Sequence, residues 1–147
     1  MVLAFKARAS TKDVDAIFAP ASVVREAAAQ VAAELDLPEH WLNDGAKGFV
    51  SARHEAVGGD LPQFQTLRLT APTPEYMLAM KCFAARLSAG PSEKGDEEDI
   101  RFLLKKLGLT TVDQALEILG RYYPPERIPA RTQYLLEDIF TDLRRGA

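Results

Sequence analysis

Between Asp13 and Phe18 the chain alternates polar and apolar residues, Asp13 and Asp15 against Val14, Ala16 and Phe18. In an extended strand successive side chains take opposite faces, so the two acids share one face and the apolar residues the other. The same stretch also allows a helix. Ser10-x-x-Asp13 has the form of a capping-box start, and Val14, Ile17, Phe18 and Ala21 fall at helical spacing. Pro20 would cut that helix after about two turns. Val, Ile and Phe also favour strands, so the strand is the preferred reading.

Further on, Pro20 and Ser22 announce a helix with the apolar stripe Val23, Val24, Ala27, Ala28, Val31, Ala32 and Leu35. Leu37-Pro38 ends it, and Pro38 is expected to open a short second helix through His40, Trp41 and Leu42. Asn43-Asp44-Gly45 reads as a turn, Phe49-Val50-Ser51 as a short strand, and His54 to Asp60 as a loop or hairpin. Gln65 to Thr70 alternates, with Thr66, Arg68 and Thr70 against Leu67 and Leu69, and reads as a half-buried strand. Thr73-Pro74 is a helix start, cap then first position. The helix it opens carries Tyr76, Met77, Met80, Phe83, Ala84 and Leu87. After a polar loop over 89–95, Asp96-Glu97-Glu98-Asp99 opens a helix with core positions Ile100, Leu103, Leu104 and Leu107, closed by Gly108. Thr111 and Gln114 form a capping box for a helix through Leu119, which Tyr122-Tyr123-Pro124-Pro125 terminates. Pro129 starts the last helix, with Tyr134, Leu135, Ile139, Phe140 and Leu143 at helical spacing. The expectation is an α+β fold: an αβ half over 1–70 and a helical lobe over 71–147, together one compact domain.

Composition adds bounds. The chain has 147 residues, 47% hydrophobic and 27% charged, enough for a real core and ordinary for a globular protein. Its net charge of −3 argues against a broadly basic, nucleic-acid-coating protein, though not against a local basic site. The one cysteine, Cys82, cannot form an intrachain disulfide, which fits a reducing compartment. No stretch has the layout of a signal peptide, and the longest apolar run, about Met77 to Leu87, holds Lys81 and Arg86 and is too short to span a bilayer. A cytoplasmic protein without a membrane partner is expected.

Few residues offer chemistry. His40 and His54 stand apart from any Cys/His cluster, so a zinc site is not expected, and no nucleotide-binding glycine loop or nucleophile elbow occurs. Cys82 reads as a buried, inert thiol and Trp41 as a core residue. Asp13 and Asp15 would lie about 6.5 Å apart on a strand face. Their repulsion is about 2.5 kcal/mol at an effective dielectric of 20 and under about 1 kcal/mol in bulk water, so the pair demands a cation only where enclosed. Two such carboxylates can share Mg²⁺ with waters and substrate phosphates. Lys81, set among Met80, Cys82, Phe83 and Ala84, reads as a half-buried lysine or as one snorkelling from a helix flank. By spacing alone Asp96 and Asp99 are helix-start acids.

Taken in order, these segments resemble a known group. Arg8-Ala9-Ser10-Thr11-Lys12-Asp13-Val14-Asp15 looks like the R-x-S/T-x-D-hydrophobic-D segment of bacterial nucleotidyltransferase-fold proteins. Lys81, Ala84 and Arg86, followed by Asp96 and Asp99, look like the helical K-x-x-A-x-R…D-x-x-D motif of AbiEii-type toxin nucleotidyltransferases. A small uncharacterised relative family also tends to carry a turn like Trp41-Leu42-Asn43-Asp44. The resemblance implies a small mixed sheet with helices, followed by a helical lobe. It further implies Mg²⁺ held by Asp13 and Asp15, and transfer of a nucleotide from a nucleoside triphosphate to a hydroxyl of tRNA, other RNA or protein. Arg8, Ser10, Thr11 and Arg86 would contact the substrate, Lys81 would approach the nucleotide, and Asp99, or failing it Asp96, would match the group's late acid. An antitoxin is an implied partner. Two departures point to the alternative, a degenerate, non-catalytic binding module or toxin–antitoxin partner. The Gly-Gly or Gly-Ser motif that normally precedes the D-x-D strand is absent; Met1 to Phe5 looks like the remainder of its segment, with the glycines expected upstream of Met1 or lost. The strand expected to give a third carboxylate, Thr66 to Thr70, has no acid, and Asp60 lies in a loop. A chain without its first element is also expected to expose an apolar edge and form homo-oligomers.

Overall fold

The computed structural model describes residues 13–57, 61–85 and 93–145. They divide into two compact units, 13–50 and 51–145. The fold is α+β, with two strand pairs and five α-helices among the described residues.

The first unit is a strand–helix–strand crossover. β1 (Val14–Asp15) and β2 (Leu42–Asn43) run parallel, with Val14 opposite Leu42 and Asp15 opposite Asn43. The Val14 amide donates to the Trp41 carbonyl at 2.6 Å and the Ala16 amide to the Asn43 carbonyl at 2.9 Å. The strand itself is only Val14–Asp15, but the expected alternation runs over 13–18: Asp13, Asp15 and Ile17 are exposed, while Val14, Ala16 and Phe18 are partly buried. Between the strands lies α1 (Ala21–Leu35), the helical crossover that parallel strands require. Its inward positions are Val24, Ala28, Val31 and Ala32; Val23, Ala27 and Leu35, expected in the stripe, are exposed. The helix stops at Asp36, which takes the left-handed conformation (φ 52°), while the Leu37 amide reaches back to the Ala32 carbonyl at 3.0 Å. Asp is among the few residues that tolerate this conformation.

Two local expectations are corrected here. Pro38 opens no helix: its carbonyl only closes a turn onto the Trp41 amide, and the next two residues become β2. The amides of Val14 and Ala16 supply the competing pull, because a half-buried strand needs acceptors for its ladder. Asn43-Asp44-Gly45 leads into a 3₁₀ helix, Gly45–Phe49, and this replaces the expected strand at Phe49.

The second unit gathers all the remaining helices: α2 (Pro74–Ala84), α3 (Glu93–Lys106), α4 (Val112–Tyr122) and α5 (Ala130–Arg145). α2 packs on α3 and α4, and α4 on α5. Leu78, Ile100, Leu103, Leu104, Leu119, Leu136 and Ile139 form the fully buried centre. On α2 the buried line is Leu78, Ala79, Cys82 and Ala85, while Met77, Met80 and Phe83 sit at its margin. α3 starts at Glu93, ahead of the expected Asp96. The caps follow the sequence reading. Thr73 accepts from the Tyr76 amide at 3.2 Å, Thr111 and Gln114 complete a capping box, and Gly108 ends α3 at φ +66°.

Residues 51–57 and 61–70, expected to belong with the αβ half, fall in the second unit with the helices. β3 (Ala56–Val57) pairs antiparallel with β4 (Ala71–Pro72). The Ser51 amide donates to the Tyr76 hydroxyl at 2.9 Å, its hydroxyl donates to the Tyr122 carbonyl, and the Tyr122 hydroxyl donates to Glu55 at 3.0 Å. Gln65 to Thr70 forms no strand: it lacks regular structure, and Phe64 and Leu67 are 56% and 48% exposed. Alternation alone did not supply a partner for its backbone.

Candidate functional site

The expected site residues fall into three sets. Arg8, Ser10, Thr11 and Arg86 lie outside the described residues, as do Met1 to Phe5 and Asp60. Asp13 and Asp15 belong to the first unit, and Lys81, Asp96 and Asp99 to the second.

In the first unit the acid face of β1 lies along the edge that β2 continues into a turn. Asp15 stands opposite Asn43, and the Asn43 side-chain oxygen accepts from the Gly45 amide at 2.9 Å. A Cβ added at Gly45 would sit 2.9 Å from that oxygen and 3.7 Å from a carboxylate oxygen of Asp15. Glycine is therefore needed there for the close approach of the Asn43 side chain. Asp15 makes no hydrogen bond or ion pair with a described residue, and its carboxylate faces solvent. Asp44, the next residue along, holds Arg25 of α1 at 2.8 Å. Sequence reasoning treated Asn43, Asp44 and Gly45 as a turn and did not single out Arg25. The resemblance had drawn attention to the Trp-Leu-Asn-Asp segment without indicating that it pairs with the acid strand.

Among the described residues no three His, Cys, Asp or Glu side chains converge to hold a metal. The donor set on β1 is a pair, not a cage. A pair suits Mg²⁺, which keeps several waters and is commonly held by one or two carboxylates plus substrate phosphates. Asp13 and Asp15 have the chemistry of such a two-carboxylate anchor.

In the second unit the motif residues meet one another. Lys81 of α2 lies 2.6 Å from Asp96 and 3.0 Å from Asp99, both on α3. Asp99 is buried, Lys81 about a quarter exposed and Asp96 about half exposed. Burial pulls the Lys81 pKa down, but its hydrogen bonds and charge attraction to Asp96 and Asp99 outweigh that, and the net shift is upward. Lys81 is thus a cation held between two helices, with two of its three N–H donors occupied. The expected half-burial is seen, and the acids read as helix-start residues are its partners.

The other candidates are quiet. Cys82 is fully buried, and loss of solvation pushes its pKa up to about 12. His40 and His54 are exposed, and the Trp41 indole donates to the Ala28 carbonyl at 3.0 Å, fixing β2 to α1. No helix among the described residues is long and apolar enough to cross a membrane.

No known protein family, curated protein or solved structure matches this chain.

Proposed function

We propose that this chain is a nucleotidyltransferase-like protein that binds a nucleoside triphosphate with Mg²⁺ and transfers its nucleotide to a hydroxyl of RNA or protein, in the manner of the toxin-type enzymes it resembles. The observation that carries the reading is the acid face of β1: Asp13 and Asp15 exposed on one side of a strand, with Asp15 opposite Asn43 of β2. An ion held by these two residues would offset phosphate charge and polarise the α-phosphate. The acceptor hydroxyl would give its proton to water as its oxygen bonds to the α-phosphorus, the bond to the β-phosphate would break, and pyrophosphate would leave. The cytoplasm, where a lone reduced cysteine and nucleoside triphosphates coexist, is the proposed setting.

A second reading has its own observation. Lys81, the residue the resemblance would place at the nucleotide, is engaged by Asp96 and Asp99. A motif turned inward in this way suits a non-catalytic module that has kept the fold and acts through a protein partner such as an antitoxin.

Thermal unfolding with each nucleoside triphosphate, with and without Mg²⁺, tests the binding. A ligand at a hundred times its dissociation constant adds about 2.7 kcal/mol, a shift of roughly 5–10 °C for a chain of this size. The expected result is a Mg²⁺-dependent shift that is lost in Asp13→Asn/Asp15→Asn. No shift, or one unchanged in the double variant, overturns the site. Labelled nucleotide appearing in RNA or protein, with wild type but not the double variant, separates the enzyme from the module.

A further inference from the structure

In the helical unit Lys81, Arg101 and Arg121 are answered by acids: Lys81 by Asp96 and Asp99, Arg101 by Glu97 and Asp142, Arg121 by Glu75 and Glu117. Three other arginines are held in place by neutral groups. Arg53 Nη1 donates to the Arg121 carbonyl, in the last turn of α4, at 3.2 Å. Arg131 Nε donates to the Ala85 carbonyl, directly after α2, at 2.9 Å. The Arg127 guanidinium carbon lies 5.9 Å from the centre of the Phe83 ring. All three arginines are exposed, and none makes an ion pair with a described residue.

Their supports meet. Phe83, in the last turn of α2, stacks on Tyr123, the residue that closes α4, with ring centres 4.2 Å apart and planes 2° apart. The stack joins the C-terminal ends of α2 and α4, and the three arginines are fixed to those two ends. Burial raises the Tyr123 pKa and the Arg127 charge opposes it, which sets that charge beside the stack. Each helix end carries about half a negative charge, so Arg53 and Arg131 are answered only in part and roughly two positive charges remain. Glu126, next to Arg127 in the 3₁₀ turn Pro125–Arg127, forms no ion pair with a described residue. Tyr134 follows Arg131 by three residues on α5, a neighbouring position on the helix surface, and is 61% exposed.

We propose that these joined helix ends, with Arg53, Arg127, Arg131 and Tyr134, bind a single-stranded nucleic acid. The three guanidinium forks stand on separate segments, so a compact anion meets one of them, whereas a run of phosphates meets them in turn. An exposed tyrosine beside the arginines favours a single strand, whose unstacked bases can lie on its ring. The patch is local and coexists with a net charge of −3. Binding here needs neither the metal nor the nucleotide proposed at β1.

Fluorescence anisotropy of the full chain with labelled oligouridylate and oligothymidylate, about a dozen nucleotides long, tests this without Mg²⁺ or nucleoside triphosphate. Log affinity should fall against log salt with a slope of about −2, from about −0.7 for each of three phosphates. Arg127→Gln and Arg131→Gln should each weaken binding several-fold and flatten the slope by about 0.7, while Arg127→Lys should keep the slope. Tyr134→Ala should weaken binding roughly five- to a hundredfold with the slope unchanged, as the loss of one stacked base. Glu126→Gln should tighten it. Arg144→Gln/Arg145→Gln, at the opposite end of α5, should change it by less than about twofold. Arg127→Gln and Tyr134→Ala alter exposed side chains and should keep the unfolding midpoint. No binding of either strand by wild type at low salt overturns the proposal. So does a slope unchanged in Arg127→Gln and Arg131→Gln, an equal loss in Arg144→Gln/Arg145→Gln, or equal or tighter binding of a duplex of the same length. Each of these outcomes leaves β1 to be judged by its own Mg²⁺-dependent shift.

Discussion

Replacing Lys81 by Met keeps the aliphatic stem and removes the charge between α2 and α3. Two carboxylates lose a partner, and they are not equivalent. Asp99 is only 3% exposed and lies 3.0 Å from the lysine nitrogen; Asp96 is 48% exposed at 2.6 Å. Water replaces most of what Asp96 loses, so that contact contributes less than about 1 kcal/mol despite being the shorter one. Asp99 has no such recourse. A hydrogen bond to a charged group in that setting is worth about 1.5–3 kcal/mol. Lys81→Met should therefore cost about 2–3 kcal/mol, Asp96→Asn under about 1 kcal/mol, and the Lys81→Met/Asp99→Asn double variant much less than the sum of its singles. Urea unfolding of the four proteins of that cycle measures the coupling directly. A Lys81–Asp99 coupling below about 0.5 kcal/mol would refute the view of this lysine as a latch. If Lys81→Met instead left stability unchanged and removed nucleotide binding, the lysine would be a ligand contact, as the sequence resemblance implies.

Two further outcomes follow from the same unit. Lys81 has a folded pKa above its ordinary 10.5, so its contribution is complete below about pH 10 and is lost as pH rises through the folded value. Burial raises the Tyr122 and Tyr123 hydroxyls as well, and neutral tyrosines kept from ionising destabilise the fold in the same alkaline direction. Unfolding free energy should fall above about pH 10, less steeply in Lys81→Met; identical slopes would contradict the assignment. Cys82, pushed from 9.0 up to about 12, should carry about a thousandfold less thiolate at pH 8 than an unfolded chain. Its reaction with a thiol reagent should therefore wait on unfolding, and labelling of the native protein at a free-thiol rate would show the α2 core to be open.

The helical unit was largely legible because its signals are local. Thr73, Thr111 with Gln114, and Gly108 act within one turn of their own position, and each does what its sequence neighbourhood dictates. The apolar residues of α3 likewise need only their own spacing to define a face. The strands were less legible because a strand is half of a pair. Asp13 to Phe18 and Gln65 to Thr70 carry the same alternation, yet only the first has a partner, and that partner was hidden in Trp41-Leu42-Asn43 behind a proline that suggested a helix. The pairing in the second unit fell instead to Ala56–Val57 and Ala71–Pro72, neither long enough to show a period.

The candidate site inherits that difficulty. Lys81 meets Asp96 across fifteen residues, and Arg25 meets Asp44 across nineteen. In a single sequence neither spacing distinguishes a partner from a bystander. Burial then sorts the two groups in a way that composition cannot. Asp99 is enclosed, so its charge must be answered by the protein itself, and Lys81 answers it. Asp13 and Asp15 are exposed, and water screens repulsion at the same-face strand spacing to under about 1 kcal/mol. A metal bound at such a pair gains little from relieving strain. Its affinity would come mainly from the phosphates that share it, so the proposed metal and nucleotide binding at β1 would be mutually dependent. Magnesium alone should then stabilise the protein far less than magnesium with a triphosphate. Strong stabilisation by the ion alone would mean that the acids sit in a closed site of another kind.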